Sequence, residues 1–439
     1  MNSPKNTRSL GLITVISLVA GGMIGSGIFT LPSVLAQFGG ISLLGWLVAA
    51  IGAWILAYVM SALSKVIPET GGSYAYTKAA FGELPAFVVA WGFWLSMWST
   101  NAAIALTFSG YFGVFFPEIS QSPWFSVTVA LLAIWGLTLL NSLSIRSSGN
   151  LQIVTTLLKV LPILVVAFGG IIFIDLDNFT PFNTSQESSI QAITTSSVLC
   201  FYAFMGIESA TIPAENIKQP EKTISKGTKI GVGLVIFLYL FSSFSLFGVL
   251  SPADVAQSQA PFSDAANLIF GINTGYFVAA GACIASFGAL NGWILLQGQI
   301  PYSMAKDGLL PKGLAYKNPT GAPSIGVIVS SVMITILLLF NQSKGFSGLY
   351  EFMVLLTTTT SLAFYFGAVL AYAYFSYTGQ LGFRRDWKAM FYSFSGLGFT
   401  AWIFFGAGWD SVILGVLALL FGIPVYWLSK RKIRMRDAG

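Results

Sequence analysis

The chain has 439 residues, of which 55% are hydrophobic and 9% charged; soluble domains carry roughly a quarter charged residues, so an ordinary soluble fold is excluded. The formal net charge is +6, with no histidine and two cysteines. Imidazole metal ligands and histidine proton relays are therefore excluded, and Cys200 and Cys283, both in apolar runs, form neither a disulfide framework nor a metal site. In chain order, twelve apolar runs lie at about 12–35, 41–66, 84–115, 124–144, 150–174, 190–213, 226–250, 275–305, 323–340, 348–377, 389–408 and 410–429. A helix crosses the hydrocarbon in roughly 20 residues, so each run is expected to be one span, the longer ones tilting or protruding. The expected fold class is an all-α polytopic membrane protein with 12 transmembrane helices in a single domain. The polar stretch Met1 to Ser9 and the length of the first run predict no cleavable signal.

The connections alternate in charge. Lys5 and Arg8 precede the first run, and every second connection after it is basic: Lys65 and Lys78; Arg146; Lys218, Lys222, Lys226 and Lys229; Lys306, Lys312 and Lys317; Arg384, Arg385 and Lys388; then a basic tail from Lys430. The intervening connections hold Glu118, Asp175, Asp177, Glu187, Asp254, Asp264 and Asp410, with Lys344 their only base. Because basic loops stay in the cytoplasm, both termini are expected there, in a multi-pass protein of the plasma or inner membrane. This sorting accounts for the positive charge without a nucleic-acid partner.

The first run is interrupted by "GGMIGSGIFTLP", Gly21 to Pro32. In lipid every backbone polar group must be satisfied within the protein, so a weak helix mid-span marks either a packing face or a site. Setting "MIGSGIFTLP" over "FMGIESATIP" of the sixth run aligns Gly25 with Gly206, Thr30 with Thr211 and Pro32 with Pro213 at one offset. Five spans separate the copies, so the second enters the membrane from the opposite side. Matched glycine interruptions in two inverted halves point to a transporter site made of broken helices. Unwinding at Gly25, Ser26 and Gly27 would free N–H groups at the start of a half-helix, where an anion is favoured. Carbonyls around Met23, Ile24, Tyr202 and Met205 would accept from an ammonium, and together the two features describe an α-amino acid. A phosphate loop is excluded, since no Gly-Lys-Ser/Thr follows.

Two ionisable residues lie deep in apolar runs, Lys159 and Glu208. Each costs about 2.5–3.5 kcal/mol at mid-span on insertion scales, which makes both functional candidates. Snorkelling does not rescue Lys159, nine residues beyond Asn150 and thus about 14 Å along a helix. An intramembrane enzyme lacks a nucleophile–base pair or metal site here, and a channel would not require a repeat of broken helices. Neither catalytic nor metal-binding residues nor a cofactor are expected, and the chain is not expected to be an enzyme.

Three motifs, "GGMIGSGIFTLP", "GGSYAYTKAAFG" (Gly71 to Gly82) and "FYAFMGIESATIPAENIKQPEKTI" (Phe201 to Ile224), resemble the amino acid–polyamine–organocation transporters, in particular their basic amino acid and polyamine antiporter branch. The likeness runs from about Leu10 to the last span. It implies a LeuT-like five-plus-five inverted repeat with helices 1 and 6 broken, repeat one at about 10–175 and repeat two at about 188–377, followed by two extra helices at about 389–429. It also implies alternating access. By resemblance the substrate carboxylate rests on the Ser26 and Gly27 amides and the amino group on carbonyls of Met23, Tyr202 and Met205. Phe93, Tyr202 and Trp293 match gate positions, the tryptophan stacking on a cationic substrate, while Asn101, Thr357 and Tyr365 match positions that touch the side chain or brace the gate. Glu208 matches a proton-linked gating residue, and Lys159 a lysine that stands in for a sodium ion in proton-coupled relatives. The chain departs from arginine- and agmatine-handling members in having Tyr202 for tryptophan and Phe93 for tyrosine. The expected function is exchange of a cationic amino acid of the arginine, ornithine or lysine class for a related amine or amino acid, with protons as a further partner. A proton-coupled symporter of neutral amino acids is the alternative, and a homodimer stays open.

Overall fold

The computed structural model describes residues 10–437 except 70, 121, 123, 144–148, 212–216, 272 and 320. Lys5, Arg8, Arg146 and Pro213 therefore lie outside the described residues. The described chain is helical, with no strand beyond one isolated bridge between Leu10 and Ile217. The first run divides into α1 (Leu12–Met23) and α2 (Ser26–Leu35), and α3 (Ser42–Val66) returns. The short α4 (Ser73–Phe81) precedes α5 (Glu83–Gly113), α6 (Pro117–Ser120), α7 (Phe125–Leu143) and α8 (Gly149–Gly169). The sixth run gives α9 (Ser189–Ala203) and a short 3₁₀ turn at Ile207–Ala210. Then come α10 (Pro220–Val249), α11 (Pro252–Gln257), α12 (Pro261–Phe270), α13 (Thr274–Lys306), α14 (Ser324–Asn341), α15 (Gly345–Thr378), α16 (Trp387–Gly406) and α17 (Trp409–Asp437).

Among the described residues, nine segments are long and apolar enough to cross a membrane, and two of them, Leu12–Val66 and Ser324–Thr378, are 55 residues long and contain more than one helix. The helix α5 is not among the nine; its serines, threonines, glycines and Asn101 dilute its hydropathy, and those polar groups face protein rather than lipid. Burial separates inner from outer helices. Within Ser189–Ala210, 72% of the residues in its apolar 18-residue stretch are buried, against 22% within Trp409–Lys430, so α9 sits centrally and α17 at the rim. Large apolar side chains such as Leu139, Phe277, Phe340, Phe394 and Phe421 point outward, the surface a bilayer core would cover.

Two helices run beyond the expected spans. The sequence predicts a start near residue 226 for the seventh span, but α10 begins at Pro220, whose fixed φ and missing N–H suit a first helical position. Likewise α17 continues through the basic tail to Asp437. The helices α4, α11 and α12 were not expected, being too short to register as apolar runs. The motif "GGSYAYTKAAFG" forms α4, bracketed by Gly72 at φ 56° and Gly82 at φ 86°.

The connections sort onto two faces. On one, Lys78 pairs with Asp307 at 3.5 Å, Lys430 with Glu83, and the amide of Lys218 donates to the Leu10 carbonyl at 3.0 Å. On the other, the Asp175 amide donates to Gly248 at 2.8 Å and that of Thr184 to Phe38 at 3.2 Å. These contacts join the ends of α4 and α13, and α5 with the tail, on one side, and the connections after α2 and α8 with the end of α10 on the other.

Candidate functional site

Both interruptions fall at the aligned glycines. In the first, only Ile24 (ψ 94°) and Gly25 (φ −141°, ψ −127°) leave helical geometry. The break is shorter than the expected unwinding of Gly25 through Gly27, because Ser26 and Gly27 already form the first turn of α2. Their N–H groups remain first-turn donors, which an α-helix leaves without intrahelical partners, and no side chain caps them. In the second, α9 ends at Ala203 and the chain turns through Gly206 at φ 116° into the 3₁₀ turn.

The two breaks nest against each other. A Cβ placed on Gly206 would lie 2.7 Å from the carbonyl carbon of Gly22 and 2.9 Å from the amide nitrogen of Met23. One placed on Gly27 would lie 2.5 Å from the Cβ and 2.7 Å from the Cα of Ala203. The glycine run therefore does two jobs: Gly25 opens the helix, and Gly22 and Gly27 let the partner segment approach. The sequence posed packing face and broken helix as alternatives, and both hold.

The end of α1 leaves carbonyls without helical donors, and neighbouring helices supply them. The Ile24 amide closes on Ala20 at 2.8 Å, Lys159 Nζ of α8 donates to the Gly21 carbonyl at 2.9 Å, and Tyr239 Oη of α10 donates to the Met23 carbonyl at 2.7 Å. An ammonium at the C-terminal end of α1 also meets the negative end of its dipole. The Tyr202 carbonyl accepts the Met205 amide at 3.1 Å. Among the described residues the Met23 carbonyl thus accepts one hydrogen bond and retains a second lone pair, whereas the Tyr202 carbonyl accepts the amides of both Phe204 and Met205.

Between the breaks lies a cavity of about 20 Å³, room for a water rather than an amino acid. Of the sequence-predicted residues, Met23, Gly25, Ser26, Gly27, Tyr202, Met205 and Trp293 line it, joined by Gly22, Thr100, Ile104 and Ala203. The hydroxyls of Ser26 and Tyr202 bridge it at 2.6 Å. The other candidates stand behind this lining. Ile24 is fully buried at the break, and Gly206 packs on Gly22. Asn101 donates to Gln297 at 2.7 Å, leaving its own carbonyl oxygen buried without a partner. Thr357 donates to the Ser99 hydroxyl at 2.8 Å.

A chain of aromatic contacts leads from the cavity to Glu208. The Trp293 ring meets Phe93 at 6.4 Å, Phe93 stacks on Phe364 at 4.2 Å, and Phe364 abuts Tyr365 at 5.9 Å. Tyr365 Oη donates to Glu208 Oε2 at 2.7 Å, which also accepts the Gly206 amide at 3.2 Å. Among the described residues, Glu208 Oε1 is buried without a partner. Lys159 and Glu208 are the buried acidic and basic side chains among the described residues.

Thr100, Ile104, Gln297 and Tyr239 were missed in the sequence. A signal existed for the first two: Phe93, Met97, Thr100, Asn101 and Ile104 recur at helical spacing on one face of α5. Gln297 lies one turn beyond Trp293 and could have been found likewise. Nothing in the sequence marked Tyr239.

Fold and site together define a polytopic helical membrane protein whose polar centre lies where two interrupted helices cross. The chain belongs to the amino acid permease family, which matches residues 10–435. It is 32% identical over 348 residues to the cadaverine/lysine antiporter of Escherichia coli K12, covering 77% of each chain. It is 27% identical over 450 residues to the arginine/ornithine antiporter of Pseudomonas aeruginosa, covering 98% of this chain and 93% of the relative. It is also 25% identical over 441 residues to the putrescine transporter PotE of Haemophilus influenzae, covering 99% of this chain and all of the relative.

Proposed function

We propose that the protein is an antiporter that exchanges a cationic amino acid for a related amine or amino acid by alternating access. The observation that carries this reading is the nest of two breaks, with first-turn amides of α2 on one side and a lone pair of the Met23 carbonyl on the other. An α-carboxylate and an α-ammonium are complementary to those two sets. A cationic tail would lie against the Trp293 face, which lines the cavity. The relatives support a basic substrate, since their names join cadaverine with lysine and arginine with ornithine. They favour exchange over proton-coupled symport of neutral amino acids.

In this proposal the long helices make twelve spans. Leu12–Val66 contributes two, Ser324–Thr378 two, and α5 one, beside the remaining segments. The spans from α1 to α8 and from α9 to α15 form inverted repeats, with α16 and α17 appended at the rim. The face carrying Lys65, Lys78 and the tail is cytoplasmic, and the membrane is the cell membrane. A cavity of about 20 Å³ is a closed arrangement, and the nest must part for substrate to enter. Within it, Met23, Ser26, Gly27, Tyr202 and Met205 hold the substrate backbone, and Asn101 and Thr357 adjust the wall around its side chain. Phe93, Trp293 and Tyr365 gate it.

The test is uptake into proteoliposomes across a panel of lysine, arginine, ornithine, their decarboxylated amines and neutral amino acids. Uptake of a basic amino acid that requires internal basic amino acid or diamine is the expected result. Uptake of neutral amino acids into empty vesicles, driven by an inward proton gradient, would overturn the proposal. Trp293→Ala is expected to weaken a cationic substrate roughly 3- to 30-fold, the range of a cation–π contact, and a neutral amino acid less. Equal losses, measured by binding to purified protein, would remove the stacking role.

A further inference from the structure

Where α3 and α10 reach the basic face, Lys65 of α3 faces a row of lysines on α10. On α3, Tyr58, Ser61, Ala62, Lys65 and Val66 recur at helical spacing, and on α10 Lys222, Ser225, Lys226 and Lys229 do the same. The helices pack along their length, and near the basic face they are joined by the hydroxyls of Ser61 and Ser225, 2.6 Å apart. Beyond that contact two adjoining cavities of about 200 Å³ and 540 Å³ open between them. Lys65 and Lys229 line both, and Lys222 and Lys226 line the larger. Glu221 is the acidic residue of the lining, so four lysines less one glutamate leave three positive charges around this space. The ion pairs among the described residues, Lys78 with Asp307 and Lys430 with Glu83, involve none of these four lysines.

Like charges gathered in a cavity repel, and a bound anion removes that cost. The group nearest the closed end is held in place: Lys229 Nζ sits 5.1 Å over the Tyr58 ring, which in turn stacks on Tyr392 at 3.6 Å. The connection after α15 supplies the third wall through Gly382 and Phe383, and Phe383 packs on Tyr372 at 5.5 Å. An occupant would therefore contact α3, α10 and the α15–α16 connection at once. The space far exceeds that of a halide, and the excess of three positive charges favours an anionic group large enough to reach more than one lysine at once. We infer that this cleft is a binding site for a phosphate-bearing anion, with Lys65 and Lys229 as its inner ligands and Lys222 and Lys226 as its rim. The site lies where helices leave the membrane, so the phosphate can come from an anionic lipid headgroup or from a soluble phosphate compound.

The experiment uses the full chain in neutral detergent, comparing wild type, Lys65→Gln/Lys229→Gln, and a control with equal charge removed elsewhere on the same face, Lys312→Gln/Lys317→Gln. Phosphatidylglycerol and phosphatidylcholine are titrated in one arm, and inorganic phosphate and pyrophosphate at constant ionic strength in the other. Readouts are the thermal unfolding midpoint and retained adducts in native mass spectrometry. Wild type and control are expected to bind phosphatidylglycerol roughly tenfold more tightly than the Lys65/Lys229 variant, with no response to phosphatidylcholine. If pyrophosphate alone discriminates the variants, the site stands and its occupant is soluble. Lys65 is exposed, so the single variant Lys65→Gln serves if the double variant does not fold. Equal responses of wild type and the Lys65-bearing substitutions to every phosphate compound would overturn the inference.

Discussion

Gly206→Ala is expected to abolish transport while leaving folded, monodisperse protein. The added methyl meets backbone atoms, the carbonyl carbon of Gly22 at 2.7 Å and its oxygen at 2.9 Å, and no rotamer change can move those. In addition φ 116° is a region L-residues rarely enter, with a cost on the order of 1–3 kcal/mol. Both terms fall on the contact between the two breaks, so the nest should be forced apart or locked. Gly292 on α13 is the control, since a Cβ there has no neighbour within 4 Å, and Gly292→Ala should transport as wild type does. Gly27 refines the same argument. A Cβ there meets both the Cβ and the Cα of Ala203, at 2.5 and 2.7 Å, so if that space serves only the approach of Ala203, Ala203→Gly should restore part of what Gly27→Ala loses, a coupling measurable as a double-mutant cycle. If the Gly27 amide also cradles a carboxylate that a Cβ would crowd, substrate affinity will stay low after rescue of folding. Full transport by Gly206→Ala would show that the breaks need not touch.

Much of the architecture was legible because the bilayer imposes a length. Runs of about 20 apolar residues have few alternatives in lipid, and the helices α3, α7, α13 and α14 begin and end within about two residues of the expected bounds. The failures share a cause. The start of α10 was misplaced because Lys222, Lys226 and Lys229 read as loop, although they occupy one face of a continuing helix. The helices α4 and α12 were not expected since their burial depends on neighbours rather than on their own hydropathy. At the site, residue types that are costly in lipid announced themselves: Gly25, Gly206, Lys159 and Glu208. Their partners did not, because a carbonyl such as that of Gly21 or a phenol such as Tyr239 carries no sequence signature of the bond it makes. The position of a break is legible, but what satisfies it is a property of the assembled helices.

Lys159→Ala and Glu208→Gln are expected to separate two roles of buried charge. Lys159 caps the Gly21 carbonyl, one residue from Gly22, which packs on Gly206. Its ammonium therefore fixes the end of α1 on which the nest is built, and α13 approaches on the other side, where a Cβ on Gly288 would lie 3.8 Å from Lys159 Cε. Removing the side chain leaves a buried carbonyl without its donor, at a cost of about 1–3 kcal/mol, and frees α1 from α8. If the charge of Lys159 is what the cycle makes and breaks, Lys159→Ala will lose any proton-driven accumulation. Glu208 is built differently. Tyr365 and the Gly206 amide hold one oxygen, and the other is buried without a partner, free for a proton or for the ammonium of a substrate. Glutamine keeps the shape and one acceptor but cannot change charge, so Glu208→Gln should flatten the pH dependence of transport while substrate still binds. Exchange in vesicles of each variant, from about pH 5 to about pH 8, distinguishes the outcomes. Wild-type pH dependence in both variants would sink the assignment. The pair would then be charges that hold α1 and the second break in place without titrating.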